Sequence, residues 1–496
     1  MYARRSSVFA IAPIVALAAC SNGKSGAVLP DAGADEDSGG GGASFTYPPT
    51  GCQYVVAPPA TRAFADFSVD DTSAAVGDDT PRRVRLGLGG GTVAGAPGYA
   101  DATTSAAFTW ETAAAGHAAK VKLGNDPGTL ADVHAGYSWT ALPPTVGFGD
   151  KTPAFFHEVH VCGLKPGTTY YYQVGGGAPG AEKWSAVQSF STVPATGKVV
   201  VGIIGDARDT LSTWQLVQGR LKDAGANAQL ISGDIVDLGG VQSLYTQWLD
   251  AIWKDPKDAT KFLTLGEMLM IPIAGNHENE ASQFYASFAI PGEGKFAEQF
   301  ASLDIGNTHF VLVDDQPLSQ DNSDAGNAIV AWLDKDLSAA NANRAKVPFI
   351  VSISHRGLYS TSNHSTDGDV LGVRGKLAPL YDKYSVDLAF NGHDHEYERS
   401  KSLHAGTPPT GAPVVGAGTQ YVICAGAGAE PYQVGSGSSN YREKNQAFGN
   451  GTPYIGTYAL LELDGNKLTM KAYGLTASGT KVSDDGAPID TVQLTH

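Results

Sequence analysis

Positive charge is scarce in this chain: 34 lysines and arginines stand against 50 aspartates and glutamates, a formal net charge of -16 at pH 7. A chain so poor in cations has little with which to neutralise a phosphate backbone. That argues against nucleic acid and anionic membrane surfaces as partners. Charged residues make up only 17% beside 42% hydrophobic ones, an ordinary soluble globular balance, and 496 residues leave room for two or three domains. Cysteine is rare, with four in all. There is no convincing internal repeat, and from Cys52 to Pro194 no sustained helical period.

The first residues point to a compartment. Arg4 and Arg5 precede an apolar run, Val8 to Ala19, too short to span a bilayer as a permanent helix, and it ends in Leu17-Ala18-Ala19-Cys20. This resembles a bacterial lipoprotein signal, with residues 1–19 removed and lipid on the Cys20 sulfur; an ordinary signal peptide with an incidental cysteine is the alternative. Residues 20–50, dense in Gly, Ser, Asp and Ala, read as a flexible tether. The expected location is the bacterial cell envelope, periplasmic or at the outer membrane or cell surface, with the lipid as membrane anchor. Export permits disulfides, and Cys52, Cys162 and Cys424 remain. Cys52 and Cys162 share the amino-terminal module and make the expected pair; spacing does not establish it, and three buried thiols are the alternative.

Residues 51–195 alternate apolar and polar residues between turn signals. The better strand candidates are Pro81–Leu88, Ala106–Trp110, Phe155–Val161, Thr169–Val174 and Val187–Thr192, which together make a small β-sandwich. The run Gly163-Leu164-Lys165-Pro166-Gly167-Thr168-Thr169-Tyr170-Tyr171-Tyr172, followed by Trp184-Ser185 and Phe190-Ser191-Thr192, resembles a fibronectin type III domain. Its aromatic residues fit packing between two sheets better than a ligand site.

At Lys198 the texture changes, and residues 196–496 read as an α/β domain of mixed sheets flanked by helices. Val199–Ile204 is an apolar strand ending in Gly205-Asp206-Ala207-Arg208. A helical face with Trp214, Val217, Leu221 and Ala224 follows, then a strand, Ala228–Ser232, ending in Gly233-Asp234-Ile235-Val236-Asp237. Met268–Ala274 delivers Gly275-Asn276-His277-Glu278, and Phe349–Ser354 delivers His355. Val386–Phe390 delivers Asn391-Gly392-His393-Asp394-His395-Glu396-Tyr397-Glu398-Arg399. Strands alternating with helices imply a sheet covered on both faces, so these residues should share one carboxyl edge, where open α/β sheets keep their chemistry. Short strands after Arg399 complete the sheet, and Gly426–Gly451 reads as a long surface loop bordering the site.

Each of these residues alone has a bland reading: an aspartate after glycine caps a turn, and a lone histidine is a solvated or satisfied group. Five strand ends carrying them at one topological position are a much less probable coincidence. The order Gly-Asp, Gly-Asp, Gly-Asn-His-Glu, Ser-His, Gly-His-Asp-His-Glu-Tyr-Glu-Arg resembles that of the calcineurin-like metallophosphoesterases. The ending Glu-Tyr-Glu-Arg and the sandwich ahead of the domain resemble the purple acid phosphatase branch, and the likeness covers about Pro81 to the carboxyl terminus. It implies a bridging carboxylate at Asp234, with Asp206 and His395 at a first metal and Asn276, His355 and His393 at a second.

Carboxylate, amide oxygen and imidazole without thiolate suit Fe, Zn, Mn or similar ions. Two such ions would make a metal-held hydroxide the nucleophile on a small phosphate ester. The resemblance puts His277 against the phosphate and lets His364 protonate the leaving alcohol; a solvated loop histidine is the alternative for His364. Two departures stand out. The purple branch has an iron-bound tyrosine where this chain has Asp237, and other branches have a histidine where this chain has Arg208. Asp237 is therefore either a metal ligand or a carboxylate behind the ligands, and Arg208 a candidate phosphate contact. The expected function is exported phosphate monoester hydrolysis, with two alternatives: a phosphodiesterase on the same site, or a surface-binding lipoprotein whose site has degenerated.

Overall fold

A computed structural model describes residues 49–52, 64–69, 77–89, 99–114, 119–141, 154–290, 296, 298–432, 439–446, 454–478, 481–483 and 486–496. The expected leader, Cys20 and the tether up to residue 48 lie outside them.

Alternation of apolar and polar residues in the amino-terminal module builds two antiparallel layers. In one, Thr169–Gly176 lies between Lys120–Gly124 and Gln188–Ser191. In the other, Ser105–Thr112 lies between Arg82–Gly87 and Ala154–Cys162. Phe108 meets Tyr172 edge-on with ring centroids 4.8 Å apart, and Phe190 at 5.5 Å, so these aromatic residues are core. Cys52 and Cys162 form a disulfide that closes a span of 110 residues, while Cys424 is a buried thiol.

Beyond Lys198 the unbroken apolar runs are strands buried on both faces. Val199–Ile204, Ala228–Ile231 and Leu269–Pro272 are parallel neighbours, continued by antiparallel Tyr454–Asp464 and Lys467–Ser478. A second sheet holds Phe300–Ile305, Thr308–Val313, Phe349–Ile353, Leu388–Asn391 and Thr419–Cys424, with Tyr397–His404 antiparallel to the last. Ile203 and Leu230 of the first sheet share a core with Phe310, Ile353 and Phe390 of the second. Helices Leu211–Asp223 and Gln242–Asp250 pack into that core from the first sheet's side, whereas Asp324–Ala342 and Gly368–Tyr384 pack on the second sheet. The expected single edge is thus corrected to two facing edges. Sequence could not separate these cases, because a strand buried on both faces reads alike in one covered sheet or two stacked ones.

The module is joined to this domain through the backbone. Arg82–Gly87 runs parallel to Leu269–Pro272, with Leu86 opposite Leu269, so one sheet crosses from the sandwich into the first α/β sheet. Arg83 binds Asp250 through two hydrogen bonds of 2.8 and 3.0 Å, and the Tyr172 hydroxyl donates to the Gly266 carbonyl at 2.6 Å.

His309, on Thr308–Val313, is clamped between Asp304 at 2.7 Å and Asp336 at 3.0 Å. Burial alone would lower its pKa, but the two carboxylates outweigh that and raise it to about 9. A folded-state pKa above the unfolded value of roughly 6.5 means stabilisation that is complete below pH ~6.5 and lost as pH rises through about 9, on the order of 3 kcal/mol. Denaturant midpoints at pH 6.5 and 9.5 should show this loss in the wild type and a flatter profile in His309→Gln. Equal slopes in both would refute it.

Candidate active site

Each candidate ligand sits where a buried strand ends and the backbone turns sharply. Asp206, Asp234 and His393 adopt φ of 54°, 54° and 70°, a left-handed conformation that aspartate tolerates better than most residues and that is held here by the surrounding loops. Glycines before the ligands allow close approach. A Cβ at Gly392 would lie 2.4 Å from Asp206 Oδ2, and one at Gly275 would lie 2.2 Å from Asp234 Oδ1. Asp206, Asp234, Asn276 and His277 come from the first sheet; His355, His393 and His395 come from the second and face them.

The donors converge. His355 Nε2 and His393 Nδ1 lie 2.8 and 2.9 Å from Asn276 Oδ1, and His355 Nε2 lies 3.3 Å from Asp234 Oδ1. On the other side of the site His395 Nε2 lies 3.3 Å from Asp206 Oδ1. The His393 backbone N–H reaches the Asp206 carboxylate at 3.1 Å. Asp206, Asp234 and His355 alone offer three ligand atoms all within 4.8 Å of one another.

The tautomers are informative. His355 Nδ1 must donate to the Ser232 carbonyl at 2.7 Å and His395 Nδ1 to the Glu430 carbonyl at 2.6 Å, because a carbonyl only accepts. Both Nε2 atoms therefore turn toward carboxylate oxygens, with only a proton or a cation able to separate lone pair from lone pair. Backbone carbonyls behind imidazoles are the usual orienting partners of metal-ligating histidines. At His355, with the protein's own groups alone, a proton takes that place: burial would lower its pKa, but Asp234 raises it to about 10. Burial would also raise the Asp234 pKa, yet His355 and His277 hold it far below the usual carboxylate range. His393 is pushed the other way, kept neutral by burial and by His355 and His364, and its buried Nε2 has no hydrogen-bond partner among the described residues. A neutral imidazole, two buried carboxylates and an amide oxygen form a donor set that fits two cations.

Around this floor runs a rim of more exposed side chains. The His277 backbone N–H donates to Asp234 Oδ1 at 3.0 Å, and its ring Nδ1 donates to the Asp237 carbonyl at 2.8 Å, leaving Nε2 3.8 Å from Asp234 Oδ2. The His364 ring stands 4.4 Å from that of His393 and is bonded through Nδ1 to Asp367 at 2.8 Å. Arg208 donates to Asp237 at 2.9 Å and Asp209 at 3.1 Å, with Nε 4.0 Å from Asp234. The Asp237 side chain is half exposed and bonded to Arg208, which favours the reading of a carboxylate behind the ligands.

Several site residues escaped the sequence. Tyr432 stacks on His395 with centroids 4.0 Å apart and faces His364 at 5.6 Å. It belongs to the segment expected as a surface loop. The segment does border the site as expected, but among its described residues the surface-loop reading is corrected, since Ala427 and Ala429 are buried and donate backbone hydrogen bonds to the Gly205 and Asp206 carbonyls, and Arg442–Gln446 is a strand. Glu278 accepts from four backbone N–H groups, those of Asp234, Ile235, Val236 and Gly275, between 2.7 and 3.2 Å, and so brackets the two first-sheet loops together. Asp394 accepts from the His364 N–H at 3.2 Å and Glu398 from Thr361 at 3.0 and 2.6 Å, anchoring the loop that carries His364. Tyr397 and Arg399 both bind Asp490 at 2.7 Å. Asp394, Glu398 and Arg399 of this motif are therefore scaffold, and no spacing in the sequence signals that role.

Residues 97–192 match the family model described as purple acid phosphatase, N-terminal domain, and residues 199–397 match that of the calcineurin-like phosphoesterases. Purple acid phosphatase 15 of Arabidopsis thaliana is 26% identical over 294 residues, 54% of this chain and 53% of that protein. Purple acid phosphatase 23 of the same plant is 26% identical over 300 residues, 54% of this chain and 62% of that protein. The chain thus spans little more than half the length of these relatives. The structure of purple acid phosphatase PPD1 from yellow lupin (Lupinus luteus) seeds superposes with a TM-score of 0.64 over 84% of this chain and 74% of that one, at 19% identity, which shows a shared fold.

Proposed function

We propose, for a chain that joins a purple acid phosphatase N-terminal domain to a calcineurin-like phosphoesterase domain, that it is a metal-dependent hydrolase of phosphate monoesters. The observation that carries this reading is the convergence of Asp206, Asp234, Asn276, His355, His393 and His395, with the imidazoles of His355 and His395 tied at Nδ1 and presenting Nε2 to a carboxylate.

Asp206 and His395 would hold one ion, Asn276, His355 and His393 the other, and Asp234 both. When bound, such ions supply Lewis acidity that activates water and neutralises charge on phosphate oxygens. The chain's own residues do the rest. His277, with Nδ1 fixed on a backbone carbonyl, presents Nε2 to a phosphate oxygen. Arg208 offers a buried Nε that makes no hydrogen bond among the described residues and adds positive charge at the rim. His364 stands where its ring can give a proton to the departing oxygen, and Asp367 sets its orientation. A buried floor under an open rim suits a small ester whose phosphate is held and whose organic part faces outward.

Initial rates on 4-nitrophenyl phosphate and bis(4-nitrophenyl) phosphate test the class. The monoester should be faster by roughly tenfold or more, as expected when the site is built around a terminal phosphate. A faster diester would favour phosphodiester hydrolysis, and no turnover of either would favour a binding lipoprotein. With Asp237 in the tyrosine's place and paired to Arg208, the pure protein should be colourless; a visible charge-transfer band would mean that a phenol such as Tyr432 reaches the metal. Export and lipid anchoring at Cys20 complete the proposal. Labelling with a fatty acid should mark the wild type and not Cys20→Ala, and equal labelling would remove the anchor.

A further inference from the structure

A pocket of about 430 Å³ opens beside the rim on the side of Asp209 and Asp237. Its walls are apolar: Leu211 opens the first helix, Val236, Leu238 and Val241 come from the segment after Asp234, and Leu244 and Trp248 lie on Gln242–Asp250. Leu238 is 47% exposed, one of five exposed large hydrophobic residues among the described residues, and it directly follows the carboxylate that holds Arg208. Trp248 is 1% exposed, and its indole N–H has no acceptor among the described residues. A buried donor left without a partner costs free energy unless something else accepts from it. The pocket's two rim carboxylates share one guanidinium, so the rim repels a second anionic group.

We infer that this pocket receives the organic part of the ester: an uncharged, apolar group, of which a phenylethyl chain is a small representative. The inference rests on the proposed phosphoesterase reading, and it names the substrate class. Esters whose alcohol is apolar are preferred over polyhydroxylated or multiply phosphorylated ones. A volume of this size is within the range of small-molecule sites, and it is continuous with Asp237, whose carbonyl fixes His277. A group bound there keeps its phosphate over the donors without contacting them.

The test compares 2-phenylethyl phosphate with glycerol phosphate, two primary alkyl esters of similar leaving-group chemistry, on the protein purified with its metals. The wild type should prefer the phenylethyl ester by at least about tenfold in kcat/KM, and Leu244→Trp, which fills the pocket, should erase that preference. Val241→Asp, which charges it, should do the same should the tryptophan variant not fold. Calorimetry with 2-phenylethanol alone should show binding to the wild type that is at least about tenfold weaker in either variant. An unchanged preference, or equal binding of the alcohol by wild type and variants, overturns the pocket assignment. Should the wild type hydrolyse neither ester, the phosphoesterase reading falls, and the alcohol-binding comparison still decides the pocket.

Discussion

Replacing Asp234 with alanine should lower turnover of a phosphate monoester by on the order of 10⁴-fold, as expected when one member of a unit that acts together is removed. The two oxygens of Asp234 face side chains from both sheets. One oxygen accepts the His277 N–H at 3.0 Å and lies 3.3 Å from His355 Nε2; the other lies 3.8 Å from His277 Nε2 and 4.0 Å from Arg208. Its loss removes the carboxylate that this reading places against both ions and leaves the Arg208 guanidinium and His355 Nε2 without that neighbour. The expected change exceeds the ~10–100-fold typical of groups that merely stand behind a ligand. Glu278→Gln serves as that comparison, because it keeps the side chain's length while its amide nitrogen, unable to accept, deprives two of the four backbone N–H groups of their acceptor. Both variants should show wild-type far-ultraviolet circular dichroism. A folded Asp234→Ala protein within tenfold of wild-type turnover would be incompatible with the proposed site.

The second large effect concerns His364. Its replacement with asparagine should reduce kcat by about 10²–10³-fold for alkyl esters, the range of general acid catalysis, and by less than about tenfold for 4-nitrophenyl phosphate. The difference arises because an alkoxide needs a proton as it departs and 4-nitrophenolate does not. The ring stands 4.4 Å from His393, and Asp367 and Asp394 fix its ring and backbone. Asp367→Asn should show the same dependence on leaving group at smaller size. An equal loss for both ester types would instead make His364 a phosphate-positioning residue.

Much of this arrangement was legible because its residues recur at one kind of place. Gly-Asp, Gly-Asp, Gly-Asn-His and Gly-His-Asp-His each follow an apolar run, and a run of buried strand residues fixes where the chain emerges. The side chains that hold those loops were not legible. Glu278 acts by accepting from backbone N–H groups 3 to 44 residues away, and such contacts leave no periodic trace. Tyr432 lies on a glycine-rich segment whose composition reads as surface, yet its alanines are small enough to pass beneath the ligand loops. Asp237 stood open between ligand and support. The deciding partner, Arg208, is 29 residues away and was visible only in three dimensions. The stacking of two sheets, likewise, is written in which faces meet, and buried strands do not record that.

Element analysis of the chain purified without added metal, set against the same measurement on Asp234→Ala, tests the central claim most directly. Two ions of the iron, zinc or manganese class per wild-type chain, with at least one lost in the variant, is the predicted result. Fewer than one ion per wild-type chain, or the same content in both proteins, would contradict it.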